Sequence, residues 1–147
     1  MYEVPAVIDK LVGQRTVSLV ISKSVSIRHI VESAERIVVL SSPIAYPGFA
    51  THAVRIPLKT FAELVELAKK YEIPVVSYHG HQATLDVVNR LAGTTLVANR
   101  GEYVPENGDV AVAIRLRKRL ERPEDVKDVK PEDIEVILLQ YVKVSEE

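Results

Sequence analysis

The part of the sequence best suited to chemistry runs from Ser77 to Arg100 and opens with Ser-Tyr-His-Gly-His. An apolar run that begins at Ile73 ends here, and a helical pattern starts after Gly80, so we expect a strand to turn into a helix at His81. The first N–H groups of a helix lack backbone partners and favour an anion such as phosphate. An imidazole beside that phosphate can donate or accept a proton near neutral pH. The pattern therefore predicts phosphate contact and proton transfer at His81.

The histidine pair His79 and His81 has two other interpretations. Two histidines at strand spacing can face one metal ion, but no third histidine and no clear acidic partner follows at helical spacing. We therefore predict no metal site. In a purely structural alternative, His81 caps the helix and His79 is exposed. The remaining histidines, His29 and His52, have no comparable setting and are predicted to be incidental.

A row of arginines near the end of the chain is the second candidate for phosphate binding. Residues 110–120 alternate as a strand does, which places Arg115, Arg117 and Arg119 on one face at a spacing of about 6.6 Å. The planar fork of arginine suits bidentate contacts to phosphate, and small side chains precede the arginines on that face. In the alternative interpretation, the arginines only guard a solvated sheet edge against aggregation.

These residues require a scaffold that alternates strands and helices. Periodicity and turn residues predict strands at residues 16–22, 36–41, 73–77, 110–120 and 135–144, and helices at 26–33, 59–71 and 82–92. Ser26 would cap the first helix, and Gly93 would end the third. The sequence therefore predicts a single α/β domain, with a mixed β-sheet and flanking helices. The loop that leaves the strand at 36–41 is a favoured place for a ligand.

Two parts of the chain are less regular. Residues 102–105 and 110–120 flank Asn107-Gly108, which is typical of a two-residue hairpin turn, so we predict a hairpin there. A charged stretch then leads to a short helix from Pro131. Near the start, Pro5 argues against a central strand, and residues 1–15 stay unassigned.

Composition excludes several classes of protein. The chain of 147 residues is long enough for one domain with a core, and it contains no cysteine, which excludes disulfides, thiolate metal sites and a cysteine nucleophile. A net charge of -1 argues against general coating of nucleic acid. The apolar runs are too short to span a bilayer and no signal-peptide pattern is present, so we expect a cytoplasmic protein without a membrane partner. The composition, with abundant Glu, Lys and Arg and scarce Met and Trp, is of a kind weakly associated with thermophiles.

The order and spacing of six short motifs are specific. These motifs are Gly80-His81, Thr84, Gly93-Thr94-Thr95, Asn99-Arg100, Gly108-Asp109 and Arg119-Leu120. In them the chain resembles the type III anti-CRISPR ring nucleases, a family of small α/β proteins first met in archaeal viruses. The resemblance covers roughly residues 36 to 144. On this basis, residues 36–147 are predicted to form a ring-nuclease-like domain and residues 1–35 an N-terminal extension with a strand and a short helix.

The resemblance implies a homodimer that degrades cyclic tetra-adenylate, the second messenger that activates type III CRISPR effectors. The implied chemistry uses neither metal nor cofactor. A ribose 2′-hydroxyl attacks the adjacent phosphate, a histidine protonates the departing 5′-oxygen, and the product is linear di-adenylate with a 2′,3′-cyclic phosphate. His81 matches that histidine, and Arg119 matches an arginine that supports the transition state. Glu121 stands near the position of the acid that follows this arginine in the family.

Further residues are implied as ligand contacts. Ser41 and Ser42 stand in the family's first loop, where relatives usually carry Asn and often Ser to hold the ribose. Arg115 falls where relatives carry a neutral amide. The implied ligand-binding residues are Ser41, Ser42, Gly80, Thr84, Asn99, Arg100, Arg115 and Arg117.

Two classes of function stay open at the level of the sequence. The first is an enzyme, a homodimeric ring nuclease with His81 as general acid. The second is a binding module, either a sponge that holds the messenger without cutting it or a dimeric DNA-binding regulator that uses the arginine strand.

Overall fold

The computed structural model of the chain describes residues 3–12, 15–106, 108–117 and 127–143, with the backbone alone for 3–12, 15–25 and 142. Within these ranges the strands are β1 (Glu3–Val12), β2 (Arg15–Ser26), β3 (Arg36–Leu40), β4 (Phe49–Ile56), β5 (Val75–Ser77), β6 (Asp109–Leu116) and β7 (Ile134–Lys143). The α-helices are α1 (Ile27–Glu32), α2 (Leu58–Lys70) and α3 (Gln82–Ala92), and a 3₁₀ turn spans Pro131–Asp133.

The predicted helices are confirmed. The helix α3 has the predicted bounds, and Gly93 ends it in a left-handed conformation with φ of 72°, which glycine adopts without strain. Ser26 caps α1, because its hydroxyl accepts a hydrogen bond from the His29 amide at 3.2 Å. The short helix predicted from Pro131 is the 3₁₀ turn.

The strands form one mixed sheet in the order β2-β1-β4-β7-β6-β3-β5. β3 is parallel to both of its neighbours, β5 and β6, whereas the other pairings among these strands are antiparallel. Because parallel strands end at the same edge of a sheet, the segments that follow β3 and β5 emerge together. The predicted fold class, a single α/β domain with a mixed sheet and flanking helices, is confirmed.

The three helices pack on one face of the sheet. Val110, Val112 and Ile114 of β6 are buried there against a core that includes Phe61 of α2 and Leu85 of α3. The predicted alternation is confirmed from Val110 to Ile114, because the alanines between these residues belong to the cluster on the other face. The strand predicted over 110–120 ends at Leu116, and Arg117 follows it as a bend. Burial of one apolar stripe per helix holds the two layers together.

The opposite face carries a smaller cluster that contains no helical residue within the described part of the chain. Ala111 and Ala113 of β6 lie there with Tyr141 of β7 and Tyr103. Tyr46, from the loop after β3, lies edge to face with both tyrosine rings, at centroid distances of 5.9 Å to Tyr103 and 5.6 Å to Tyr141. Within the described ranges, loops rather than helices therefore cover this face.

The first two strands form a hairpin that extends the sheet beyond β4. β1 pairs with β2 along its whole length and with β4 from Ile8 to Lys10. The register shifts between Pro5 and Ala6, and such an irregularity tolerates a proline, which lacks the N–H that regular pairing needs. Residues 1–35, predicted to hold a strand and a helix, thus contain two strands and α1. Their assignment as an added segment stays a prediction.

The predicted hairpin around Asn107-Gly108 is wrong. Residues 102–105 form no strand, and β6 pairs with β3 and β7 instead. Asn107 itself lies outside the described residues. A turn does precede β6, since the Asp109 amide donates to the Glu106 carbonyl at 3.1 Å.

A polar network around Asp109 explains this difference. Its carboxylate accepts from Arg36 at 2.7 and 2.9 Å, from the Tyr103 hydroxyl at 2.6 Å and from the Glu106 amide at 2.9 Å. Asp109 is 2% exposed, and a buried charge needs such partners. Burial raises the pKa of this carboxyl, but the hydrogen bonds outweigh burial and hold the pKa below its usual value. The same bonds wrap residues 103–106 around the carboxylate and override their local preference for a strand.

Candidate functional site

The candidate site lies at the edge of the sheet where β3 and β5 end. The parallel register pairs Val39 with Ser77, so the loop after β3 and the segment from Tyr78 to His81 leave the sheet side by side. The Tyr78 amide extends this contact by donating to the Val39 carbonyl at 2.8 Å. In α/β proteins, the carboxyl ends of parallel strands are a common place for ligands.

His79 is buried and links this segment to β6. Its Nε2 lies 2.8 Å from the Ile114 carbonyl oxygen, and its Nδ1 lies 3.2 Å from the His81 amide nitrogen. A carbonyl oxygen only accepts and an amide only donates, so the ring is neutral with its proton on Nε2. Burial lowers the pKa of His79 and so favours the neutral ring. The alternative in which His79 is exposed is wrong, because the residue is 1% exposed.

His81 is the N-cap residue of α3, and its side chain makes no capping hydrogen bond. The structural alternative that assigned it a capping role is therefore wrong. The residue is exposed, and its ring lies edge to face with that of His79 at a centroid distance of 5.7 Å. An exposed imidazole thus stands beside the first amides of a helix. That position is the one expected from the sequence, and its chemical role stays a prediction.

Arg100 lies against Gly80, immediately before His81. Its Nε donates to the Gly80 carbonyl at 3.3 Å, and a Cβ atom at Gly80 would lie 3.3 Å from the Arg100 Cγ. The absence of a side chain on glycine permits this close approach. The structure therefore brings an exposed arginine next to the exposed histidine.

Asn99 holds the backbone on both sides of this arginine. Its Nδ2 donates to the Ser77 carbonyl at 3.1 Å, and its Oδ1 accepts from the Gly101 amide at 2.9 Å. Its own amide donates to the His79 carbonyl at 2.9 Å. Both ends of the Asn99 side-chain amide therefore have protein partners, and ligand contact by this residue stays a prediction.

Two polar residues of α3, Asn89 and Gln82, fix the loop that follows the helix, and the sequence reasoning missed their role. Asn89 Oδ1 accepts from the Thr94 hydroxyl at 2.7 Å and from the Leu96 amide at 2.8 Å. Gln82 Oε1 accepts from the Ala98 amide at 2.8 Å. The available signal was an asparagine on an otherwise apolar helix stripe, because a half-buried amide there needs hydrogen-bond partners.

A cavity of about 340 Å³ opens beside the aromatic cluster at the end of β3. The predicted residues Ser41 and Ser42 contribute hydroxyls to it, which suit the oxygens of a ligand. The half-buried Tyr78 offers a ring on which a planar group can stack, whereas Tyr103 is buried at the wall of the cavity. Gly101 joins the cavity to the neighbouring Arg100. The other lining residues are Leu40, Ile44, Tyr46 and Glu102.

Arg115 and Arg117 approach one carboxylate, that of Glu135 on β7. Arg115 donates to it from Nε and Nη2, both at 3.1 Å, while Arg117 and Arg55 of β4 approach to 3.9 and 3.5 Å. Glu135 is 6% exposed. The hydrogen bonds from Arg115 hold its pKa below the usual value against the opposing effect of burial. β6 lies between β7 and β3, but β3 ends at Leu40 opposite Ala113. The alternative in which the arginines guard a sheet edge therefore stays open beside phosphate binding.

The sequence reasoning missed Glu135 and Arg55. A signal for Glu135 was present, because it precedes Ile137 and Leu139 at the two-residue spacing of one strand face. A carboxylate on a buried face needs cationic partners. The identity of those partners follows only from the pairing of β7 with β4 and β6.

The remaining predicted residues are Thr84, Arg119 and Glu121. Thr84 is half-buried in the first turn of α3. Arg119 and Glu121, the predicted electrostatic support and acid, lie outside the described residues. Among the residues that the structure describes, no group of three His, Asp or Glu side chains is placed to hold a metal ion. None of the described helices is long and apolar enough to cross a bilayer.

Comparison with known proteins supports the fold and the family. No curated protein matches the chain. Among solved structures, B116 of Sulfolobus turreted icosahedral virus (STIV) is similar, with a TM-score of 0.57 and 22% sequence identity over 71% of this chain and 98% of B116. At this identity the likeness shows the fold alone, the small α/β domain of an archaeal-virus protein. A family model described as STIV B116-like matches residues 37–141, so the chain belongs to the STIV B116-like family.

Proposed function

We propose that the chain is a metal-independent ring nuclease that cleaves cyclic tetra-adenylate to linear di-adenylate and so switches off type III CRISPR signalling in the host cytoplasm. The observation that carries the proposal is the exposed imidazole of His81 at the start of α3, next to Arg100. Gly101, the next residue, lines the cavity, which is also lined by Ser41, Ser42 and Tyr78. A phosphate bound there would meet helix amides, a guanidinium and a proton donor, and an adenine would meet the ring of Tyr78.

In the proposed reaction, a ribose 2′-oxygen bonds to the adjacent phosphorus while the bond from phosphorus to the 5′-oxygen breaks. The protonated imidazole of His81 gives its proton to the departing 5′-oxygen. The proton of the 2′-hydroxyl passes to water or to a carboxylate such as Glu121. Arg119 supports the charge that develops on the phosphate oxygens. The products are a 2′,3′-cyclic phosphate and a 5′-hydroxyl, and a second cut opposite the first yields two di-adenylates.

The proposed enzyme acts as a homodimer. Cyclic tetra-adenylate repeats one nucleotide around a ring, and a two-fold axis through the site presents His81 to opposite phosphates. The two cuts of one ring then use the two copies of this histidine. Light scattering of the purified protein should give the mass of two chains, and the mass of one chain would contradict a shared site.

The experiment that tests the activity incubates the protein with cyclic tetra-adenylate in EDTA and separates the products by chromatography. Wild-type protein should release linear di-adenylate. His81→Ala should lose roughly 10²–10⁴-fold in rate, the usual contribution of a general acid, and should keep its affinity for the ring. His29→Ala is the matched control, because His29 is an exposed histidine on α1. Equal turnover by wild type and His81→Ala would refute the role of His81.

Binding without cleavage is the second candidate. The observation that favours it is the loop after β3, where Ser41 and Ser42 bring hydroxyls to the cavity in place of the amide that relatives use to hold the ribose. An intact ring that stays bound to the wild type in the same assay would support this sponge function.

DNA binding has less support as an alternative. Proteins that read DNA with strands insert a two-stranded ribbon into the major groove, whereas β6 lies between β7 and β3. DNA binding would weaken steeply with salt across many sequences, and a compact pocket would prefer one ligand. Affinities for the ring and for duplex DNA at two salt concentrations separate these functions.

A further inference from the structure

The arginine cluster, defined as Arg55, Arg115 and Arg117 around Glu135, carries unbalanced charge. Among the residues that the structure describes, one carboxylate faces three guanidiniums within 4 Å, which leaves two positive charges of the cluster without an acidic partner there. The members come from β4, β6 and the residue after β6, so the sheet itself brings these like charges together. Charges of one sign held this close repel one another, and a second anion would relieve the repulsion.

Two of the three guanidiniums have donors that no described residue occupies. Arg115 uses Nε and Nη2 on Glu135, whereas the guanidiniums of Arg55 and Arg117 make no hydrogen bond to any residue in the described part of the chain. The side chains of Arg55 and Arg117 are 70% and 53% exposed. Planar guanidinium forks of this kind match the oxygens of a phosphate.

The cluster also lies next to the candidate site. β3 ends at Leu40, which pairs with Ala113 of β6, so Arg115 lies beyond the end of β3, where the loop with Ser41 leaves the sheet. Arg115 shares its sheet face with Ala113, because alternate residues of a strand point the same way. That face carries the aromatic cluster and the cavity.

We infer that the arginine cluster is a phosphate-binding site, in which Glu135 is the internal anion that positions the guanidiniums and Arg55 is a ligand contact supplied by β4. Its ligand is a phosphodiester of the cyclic oligonucleotide. That choice of ligand rests on the proposed function, whereas the anion site follows from the charges and their exposure. Glu135 is a positioning residue, because it acts through the arginines.

The first test titrates inorganic pyrophosphate into the full-length protein at low salt and follows the heat of binding. Wild-type protein should bind, and Arg55→Gln should weaken the affinity by about tenfold, as expected for the loss of one charge-assisted hydrogen bond. Arg28→Gln is the matched control, because Arg28 is an exposed arginine on α1, and its affinity should equal that of the wild type. Equal affinities of wild type and Arg55→Gln, or no binding by the wild type, would overturn the site.

A second variant, Glu135→Gln, changes the charge of the cluster in the opposite direction. It removes the internal anion and leaves three positive charges, while the amide oxygen of Gln can still accept a hydrogen bond from Arg115, so the affinity for pyrophosphate should rise. Pyrophosphate should then raise the Tm of this variant more than that of the wild type, since a ligand that binds the folded state stabilises it. If the cluster is only a structural ion-pair network, Glu135→Gln loses stability without any gain in affinity, and the inference fails.

Titration with cyclic tetra-adenylate separates this inference from the proposed function. If the wild type cleaves the ring and Arg55→Gln binds and cleaves it equally well, the arginine cluster is not part of the ligand site and the ring-nuclease proposal stands. If pyrophosphate binds through Arg55 but the ring does not bind, the anion site stands and the ring-nuclease proposal fails.

Discussion

Asp109→Ala should lower the free energy of unfolding by about 4 kcal/mol. The carboxylate accepts hydrogen bonds from Arg36, Tyr103 and the Glu106 amide, and the substitution removes all of them. Loss of one partner from a buried ion pair costs about 3–5 kcal/mol. The Arg36 side chain keeps some contact with water at 19% exposed, so a value of about 3 kcal/mol applies to the pair. The buried hydroxyl of Tyr103, left without its partner, adds about 1 kcal/mol.

Urea denaturation followed by circular dichroism measures this loss. With a slope of roughly 2 kcal/mol/M, the midpoint should fall by about 2 M. Glu32→Ala is the control, because Glu32 pairs with Arg28 at 3.8 Å and both side chains are almost half exposed. Such pairs contribute less than about 1 kcal/mol, so the control midpoint should fall by less than about 0.5 M. A fall for Asp109→Ala no larger than the control's would refute the reasoning.

The substitution Tyr103→Phe tests where the energy resides. In the wild type it removes a hydrogen bond of 2.6 Å to Asp109 and should destabilise the fold by about 1 kcal/mol. In the Asp109→Ala background the buried hydroxyl has lost that partner, so the same substitution should stabilise the fold. Equal destabilisation in both backgrounds would show that the hydroxyl and the carboxylate are not coupled.

Three further predictions concern the support of the site. Asn89→Ala should lower the free energy of unfolding by about 2 kcal/mol and speed hydrogen exchange at the Leu96 amide. The reason is that the Leu96 amide and carbonyl both bond to the Asn89 side chain. An unchanged exchange rate would contradict the anchoring role of Asn89. Burial lowers the pKa of His79 in the folded state, so the contribution of His79 to stability is full above about pH 6.5 and is lost as the pH falls toward the folded pKa. His79→Gln should therefore flatten the dependence of the unfolding free energy on pH in this range. An unchanged slope would show that other groups cause the pH dependence. Glu72 has φ of 58° and Gly93 has φ of 72°, and glycine adopts such angles with less strain than other residues. Glu72→Gly should therefore raise the free energy of unfolding and Gly93→Ala should lower it, each by about 1 kcal/mol in chemical denaturation. Changes of the same sign in the two variants would contradict this explanation.

Elements whose signals are local could be predicted from the sequence. The helix α3 and its end at Gly93 follow from a periodic stripe and a glycine that can adopt positive φ. The alternation of valines and alanines along β6 follows from the two-residue period of a strand. Both signals lie within one segment, so no knowledge of its neighbours was needed.

Elements whose partners lie far apart in the chain could not be predicted. Residues 102–105 have the composition of a strand, but Tyr103 bonds to Asp109, which in turn pairs with Arg36 across β3 and β6. In one interpretation of the sequence His79 is exposed, yet in the structure the Ile114 carbonyl accepts a hydrogen bond from the His79 ring and so allows its burial. In both cases a long-range hydrogen bond outweighs a local preference.

The same division applies to the candidate site. The sequence by itself determined that His81 begins a helix and that Arg115 and Arg117 stand two residues apart at the end of one strand. The tertiary structure decided that Arg55 and Glu135 join these arginines, because β4, β7 and β6 are adjacent only in the sheet. Charged partners depend on the order and register of strands, and that order is set by the packing of the whole domain rather than by any single segment.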